Sequence, residues 1–301
     1  MSGSPTPKHF ADAAAELGLP HPGLVEKDFH VVRTLTALRT IAQEGGHLVF
    51  GGGTSLCRAH RLIERMSEDI DLRVAPPGLG EGARKRFRNE VTRVLQSCGF
   101  DFNPETDLKS ADGYRYSRYK LRYNRRCDLV GSLRPEIKVE ISSRPLIQQS
   151  QSCLISSFWA EAAGEEPELI DMPCVTAAET CADKFVALTR RIGEELRQGL
   201  QRDATLLRHA YDLACVHPTV SMEEVVPMIR QIMESDRTTR ARNFPDYFED
   251  PVEVSKATVQ VLGSDLAYSA AFDAFVRDMV YGAKLTLHDC MGALEDIAGR
   301  L

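Results

Sequence analysis

No stretch of the sequence approaches the roughly 18 consecutive apolar residues that a membrane-crossing helix needs, so no span is expected. The opening residues, MSGSPTPKHFADAAAELGL, have neither the basic nor the apolar region of a secretory leader, and the expected location is the cytoplasm. Cysteines at CxxC spacing are missing. The eight that occur are scattered among apolar or helical neighbours, as reduced buried thiols are, which argues against a disulfide framework and a cysteine zinc site. HExxH and HxxxH pairs are missing too, so any metal is expected on carboxylates. There is no internal repeat and no low-complexity segment. Nor is there the strong positive charge of a protein that coats nucleic acid, because the net charge is −6.

What is present is an ordinary globular composition, 43% hydrophobic and 27% charged, in 301 residues, a length that suits two domains. Residues 8 to 17 read as a short helix stopped by Gly18 and Pro20, and a second helix carries Leu24, Phe29, Val32, Leu35, Leu38 and Ile41 at helical spacing before Gly45 and Gly46. HLVF is then a buried strand, broken by Gly51 to Gly53, with helical periodicity expected from Thr54 to Met66. EDIDLRV and EIKVEIS alternate as strands do: Ile70, Leu72 and Val74 take one face and Asp69, Asp71 and Arg73 the other. In the second segment Lys138, Glu140 and Ser142 oppose Ile137, Val139 and Ile141. Residues 82 to 98 resume a helix, and YRYSRYKLRY reads as a further strand.

From about Pro173 the character turns helical, opened by Thr176 with Glu179 three residues on, and a second helix covers roughly 202 to 215. DRTTRARNFPDYFEDP is a polar linker before two more helices. The expectation is therefore an α/β (α+β) core with a mixed sheet and N-terminal helices over 1–172, followed by a helical domain over 173–301.

The chemistry concentrates in GGGTSLCRAHRLIERMSEDIDL, residues 51 to 72. A glycine turn between a strand and a helix lets backbone N–H groups approach a phosphate closely. Asp69 and Asp71 lie on one face of one strand, about 7 Å apart by strand geometry, so both can reach a common pair of divalent ions. Glu140, on the polar face of its own strand, completes the set if the two strands pair. Magnesium or manganese held in this way suits nucleotidyl transfer from a nucleoside triphosphate (NTP). A second cluster, Asp112 to Arg134, holds seven Arg/Lys and two Asp, interleaved with Tyr114, Tyr116, Tyr119 and Tyr123. It reads either as an amphipathic edge strand or as a surface where Arg122, Arg125 and Arg126 meet an RNA backbone.

The glycine turn, helix, Asp-x-Asp and distant strand acid resemble the DNA-polymerase-β-like nucleotidyltransferase superfamily. More closely, GLVEKDFHV, VFGGGTSLCRAHRLIERMSEDIDL, IKVEIS, AETCADKFVALTRR and RHAYDLA, in this order, resemble the motifs of the AbiEii/AbiGii toxin family, related to the MenT toxins. The resemblance implies a bacterial toxin of a toxin–antitoxin or abortive-infection system. It also implies a cognate antitoxin encoded nearby and transfer of a nucleotide to RNA, with tRNA the acceptor in characterised relatives. On the matching positions it makes Asp69, Asp71 and Glu140 the metal ligands and Gly52, Gly53, Thr54, Ser55 and Ser67 the nucleotide-binding turn. Lys184 and Asp212 take the later-helix lysine and aspartate. This chain departs from the family at Gly51, where lysine is common, and at Arg208-His209, where Arg-Asp is common, with Asp203 expected to supply the acid.

Two other readings fit the same residues: nucleotidyl or phosphoryl transfer to a protein or small molecule, and a non-catalytic module that binds nucleotide or antitoxin.

Overall fold

The fold was analysed in a computed structural model that describes residues 5–41, 47–76, 78–128, 133–239 and 244–301. The chain divides into two compact units, Met1–Arg61 with Arg65–Thr176, and Leu62–Glu64 with Ala177–Leu301.

The first unit is built in the order α1 (Pro7–Glu16), α2 (Pro22–Arg39), β1 (His47–Gly51), α3 (Gly52–Arg58), β2 (Asp69–Ala75), α4 (Glu81–Ser97), α5 (Pro104–Asp107), β3 (Leu108–Ala111), β4 (Tyr116–Arg122), β5 (Glu136–Ser142), β6 (Gln151–Ile155), α6 (Phe158–Ala163) and β7 (Leu169–Cys174). Helix α1 starts where Thr6 and His9 form a reciprocal capping box with Pro7 at the first helical position. In α2, His21 caps the start through its ring nitrogen, 3.0 Å from Gly23 N. The glycine pair expected to stop α2 lies outside the described residues.

One seven-stranded sheet, ordered β3-β4-β5-β2-β1-β7-β6, runs through the unit. It is mixed: β2 is antiparallel to β1 but parallel to β5, and β1 is parallel to β7. Period-two alternation divides its two faces. Ile70, Leu72, Val74, Ile137, Val139, Ile141, Tyr119 and Leu121 pack with Val31, Leu35 and Leu38 of α2 and Phe87, Val91 and Leu95 of α4 into one buried cluster. Asp69, Asp71 and Arg73, with Lys138, Glu140 and Arg118 at matching register, take the opposite face.

The VEKD segment of α2 ties that helix down. Glu26 accepts from the backbone N–H groups of Arg126 (2.7 Å) and Cys127 (2.9 Å), and Asp28 accepts from that of Phe158 (2.6 Å). Burial pushes the Asp28 carboxyl up to about 6, against the pull of the Arg58 guanidinium.

Several elements differ from the sequence expectation. The helix expected over Thr54 to Met66 ends at Arg58: Arg61 turns left-handed (φ 55°), and Arg58 is held internally by Asp28, Glu161 and the Phe158 ring. The tyrosine strand begins at Tyr116, because Asp112, Gly113 and Tyr114 all take positive φ and form the turn that leads from β3 into β4. With β3 outside it, β4 is an interior strand and not an edge.

The second unit is helical: α7 (Ala177–Gln198), a 3-10 turn at Ala204–Leu207, α8 (Arg208–Val216), α9 (Met222–Thr239), α10 (Pro245–Glu249), α11 (Pro251–Ser264), α12 (Leu266–Met279) and α13 (Leu287–Gly299). The polar linker predicted from 236 thus begins inside α9, and part of it lies outside the described residues. The short α10 falls within that stretch, and where two helices were expected after it α11, α12 and α13 follow. Among the described residues no helix is long and apolar enough to cross a membrane, and the eight cysteines are free thiols.

Candidate active site

Strand pairing decides which acids meet. In the β2–β5 ladder Asp71 lies opposite Glu140 and Asp69 opposite Lys138, so their side chains leave the sheet on one face. Asp69, Asp71 and Glu140 are all half-buried.

Two cations of the chain stand among these carboxylates. Lys138 Nζ is 3.4 Å from Asp69 Oδ2 and 3.1 Å from Glu140 Oε1. Arg134 Nη2 donates to Asp69 Oδ1 at 2.6 Å. Burial would lower the Lys138 pKa, but the carboxylates of Asp69 and Glu140 outweigh it and hold the ammonium above the ordinary lysine value. Burial and the Glu140 carboxylate together push the Tyr116 hydroxyl up.

Arg134 is itself anchored. Its backbone N–H donates to Glu68 Oε2 at 2.9 Å and its Nε to Glu68 Oε1 at 3.0 Å. Glu68 in turn faces Lys27 Nζ at 3.3 Å, with both side chains fully buried. The Lys27 ammonium also donates to the carbonyls of Arg134 (2.7 Å) and Glu136 (2.6 Å). A chain of alternating charges thus runs from the interior of α2 to Asp69. Sequence reading missed these cations: alternation placed Lys138 beside Glu140, but nothing local marked Arg134 or the partner of Lys27.

The glycine turn abuts the acids. Gly52 takes φ +74°, and a Cβ there would lie 2.0 Å from Asp71 Oδ2. A Cβ on Gly53 would lie 2.7 Å from Arg65 Nη2 and 2.9 Å from Ser67 Oγ, so glycine is needed for the turn to close on its neighbours. Thr54 and Ser55 are buried, at 1% and 0% exposure, and face inward. Thr54 Oγ1 donates to the Asp69 carbonyl and lies 3.0 Å from Ser67 Oγ, whose hydroxyl can donate to it, fastening the turn to the start of β2. Thr54 thus braces the turn, while the buried Ser55 hydroxyl makes no hydrogen bond among the described residues, and Gly52 is the half-buried member of the turn.

In the helical unit Lys184 of α7 and Asp212 of α8 form a buried pair, Nζ to Oδ2 2.7 Å, with His209 Nδ1 3.4 Å from the same ammonium. Asp203 pairs with Arg191 at 2.7 Å and caps the 3-10 turn through Thr205 N, a role other than the one expected beside Arg208.

The predicted RNA contacts are placed differently from one another. Arg122 makes two hydrogen bonds to Asp107, of 2.9 and 2.7 Å, and Arg126 donates through its guanidinium to the Pro5 carbonyl. Arg125 is exposed. Beside the acids the sheet instead presents Arg118, opposite Glu140, then Lys120, with Lys109 of β3 opposite Arg118. Lys109 and Lys120 are exposed.

Whether these acids suit a divalent ion follows from their donors and their charge. All are hard carboxylate oxygens, and the loop is shaped around Asp71 so closely that a methyl group would collide with it. The neighbourhood already gathers cations: Lys138 stands against Asp69 and Glu140, Arg134 against Asp69 and Glu68, and Lys27 against Glu68. Among the described residues no three His, Cys, Asp or Glu side chains are drawn together as tightly as metal ligands, because Lys138 and Arg134 stand between them. The donor set fits a magnesium- or manganese-type ion.

Comparison with known proteins gives the same direction. No curated protein sequence matches the chain significantly. The structure is similar to that of MenT4, a nucleotidyltransferase toxin from Mycobacterium tuberculosis H37Rv, at 25% identity and a TM-score of 0.50, over 73% of this chain and 68% of that one. The sheet core and helical C-terminal region expected from sequence are thus those of a MenT-type nucleotidyltransferase fold. The model of the family described as nucleotidyl transferase AbiEii toxin, type IV TA system, matches residues 33–296, well past the motifs legible in the sequence. With that match over most of its length, the chain belongs to the AbiEii family of nucleotidyltransferase toxins of type IV toxin–antitoxin systems.

Proposed function

We propose that the protein moves a nucleoside monophosphate from an NTP to the 3′ end of an RNA, with tRNA as the acceptor, and so blocks translation in the cytoplasm until its antitoxin intervenes. The observation that carries the reading is the β2–β5 register, which sets Asp71 against Glu140 with Asp69 on the same face, beside the Gly52 turn. In this reading Asp69, Asp71 and Glu140 hold magnesium or manganese. When bound, the metal neutralises charge on the triphosphate and favours the deprotonated form of the attacking hydroxyl.

The rest is binding and orientation by the chain itself. Gly52 and Gly53 allow their backbone to come close to a phosphate, Thr54 and Ser67 hold that backbone in place, and Ser55 follows them at the start of α3. Lys184, its charge matched by Asp212, is assigned to the phosphates by the family resemblance. The RNA 3′-oxygen forms a bond to the α-phosphorus and the bond from that phosphorus to the bridging oxygen breaks. Pyrophosphate leaves and the hydroxyl proton passes to solvent. The row Arg118, Lys120 and Lys109 alongside the acids supports a polyanionic acceptor.

Incubation with each α-labelled NTP, magnesium and total tRNA tests the reaction. Label on tRNA and its loss with EDTA are expected; label on protein alone would move the assignment to a protein acceptor. Gly52→Ala is expected to lower transfer by at least about tenfold while costing only about 1–2 kcal/mol of stability, since its Cβ would displace the Asp71 carboxylate and strain the turn. Transfer rates together with urea unfolding separate the two effects.

A further inference from the structure

A divalent ion that binds Asp69 must compete with the chain's own cations, which face both of its oxygens. Oδ1 accepts from Arg134 and Oδ2 faces Lys138. Arg134 is pinned, because Glu68 accepts from both its backbone and its side chain. Lys138 is tethered only through its own stem: its ammonium lies between Asp69 and Glu140 and the side chain is 23% exposed. Its position is the one a metal shared by those two acids would occupy. On its own face of β5 the flanking residues are Glu140 and Glu136, Glu136 lying opposite Arg122 in register, while Lys120 lies opposite Lys138 itself.

We infer that Lys138 is a resident counter-ion of the acidic site: it holds Asp69 and Glu140 together in the nucleotide-free protein and is displaced by an entering divalent ion. The inference rests on the reading of Asp69, Asp71 and Glu140 as metal ligands. Without a cation, like charges on one sheet face repel and spread. With Lys138 in place they stay assembled, at the expense of affinity for free metal. Lys138 is therefore a positioning residue that makes metal entry a competition, won more readily when the ion arrives with a triphosphate.

Mn²⁺ binding to the nucleotide-free, full-length protein, followed by electron paramagnetic resonance, tests this. Lys138→Gln, which keeps most of the length and removes the charge, is expected to bind Mn²⁺ about tenfold more tightly. Lys138→Arg, which keeps the charge, should stay close to the unmodified protein. In thermal melts the Gln variant is expected to unfold at lower temperature without metal and to gain more from added Mn²⁺. Unchanged or weaker Mn²⁺ binding by a folded Lys138→Gln, with binding still lost in Asp71→Asn, would overturn the role of Lys138 alone. Mn²⁺ binding that Asp71→Asn leaves intact would overturn the metal-ligand reading and this inference with it.

Discussion

Asp71→Asn is expected to abolish nucleotide transfer, by on the order of 10³-fold or more, and to leave the fold intact. The substitution keeps the shape of a side chain that sits opposite Glu140 and against Gly52, and removes only its charge. Because Asp69, Asp71 and Glu140 share one face of the sheet, losing one negative charge eases repulsion among them, and the unfolding midpoint should change little. Transfer assays run beside urea denaturation separate the two quantities. Transfer within about tenfold of the unmodified protein would remove Asp71 from the reaction.

Lys27→Ala is expected to have the largest effect on stability, a loss of about 3 kcal/mol, because it removes the fully buried partner of Glu68 and leaves that carboxylate only the partly exposed Arg134 as a cation. It also strips the carbonyls of Arg134 and Glu136 of a donor. Burial lowers the Lys27 pKa and the Glu68 carboxylate works against that shift, as a desolvated pair requires. A typical domain has a total of about 5–15 kcal/mol, so a loss of this size is a large share of it. Lys27→Met combined with Glu68→Gln should lose less than the sum of the two single changes, since neither member of the buried pair is then left facing the other's absence. Urea unfolding at neutral pH measures all of these. A loss under about 1 kcal/mol for Lys27→Ala would mean that the pair behaves like a surface salt bridge.

The second effect bears on the first. Lys27 holds Glu68, Glu68 holds Arg134, and Arg134 holds Asp69. The same chain of contacts that stabilises the unit orients one of its acids.

Much of this arrangement was legible in the sequence where periodicity is strict. EDIDLRV and EIKVEIS alternate without a break, and β2 and β5 form over those residues with the expected faces. Their pairing could not be read, since register is set by tertiary packing, and it is pairing that brings Asp71 to Glu140. The four-residue β3 is too short to show a period, and β7 ends in a Pro-Cys step that disguises it as a loop. Helix α9 was hidden by Pro227 within its span. The early end of α3 followed from Arg58 being drawn inward by acids distant in sequence, which no local pattern encodes. Composition showed the basic residues of 112 to 134 but not their partners, such as the Asp107 carboxylate that pairs with Arg122. Long-range charge pairing was the part that sequence spacing left open.

Diffraction from crystals soaked with Mn²⁺ and a non-hydrolysable NTP, collected at the manganese absorption edge, would locate the metal without relying on turnover. Anomalous density among the carboxylates of Asp69, Asp71 and Glu140, with the triphosphate against Gly52 and Gly53, is the outcome that follows from the β2–β5 register. Manganese and triphosphate bound at other residues, with those three acids still held by Lys138 and Arg134, would contradict it.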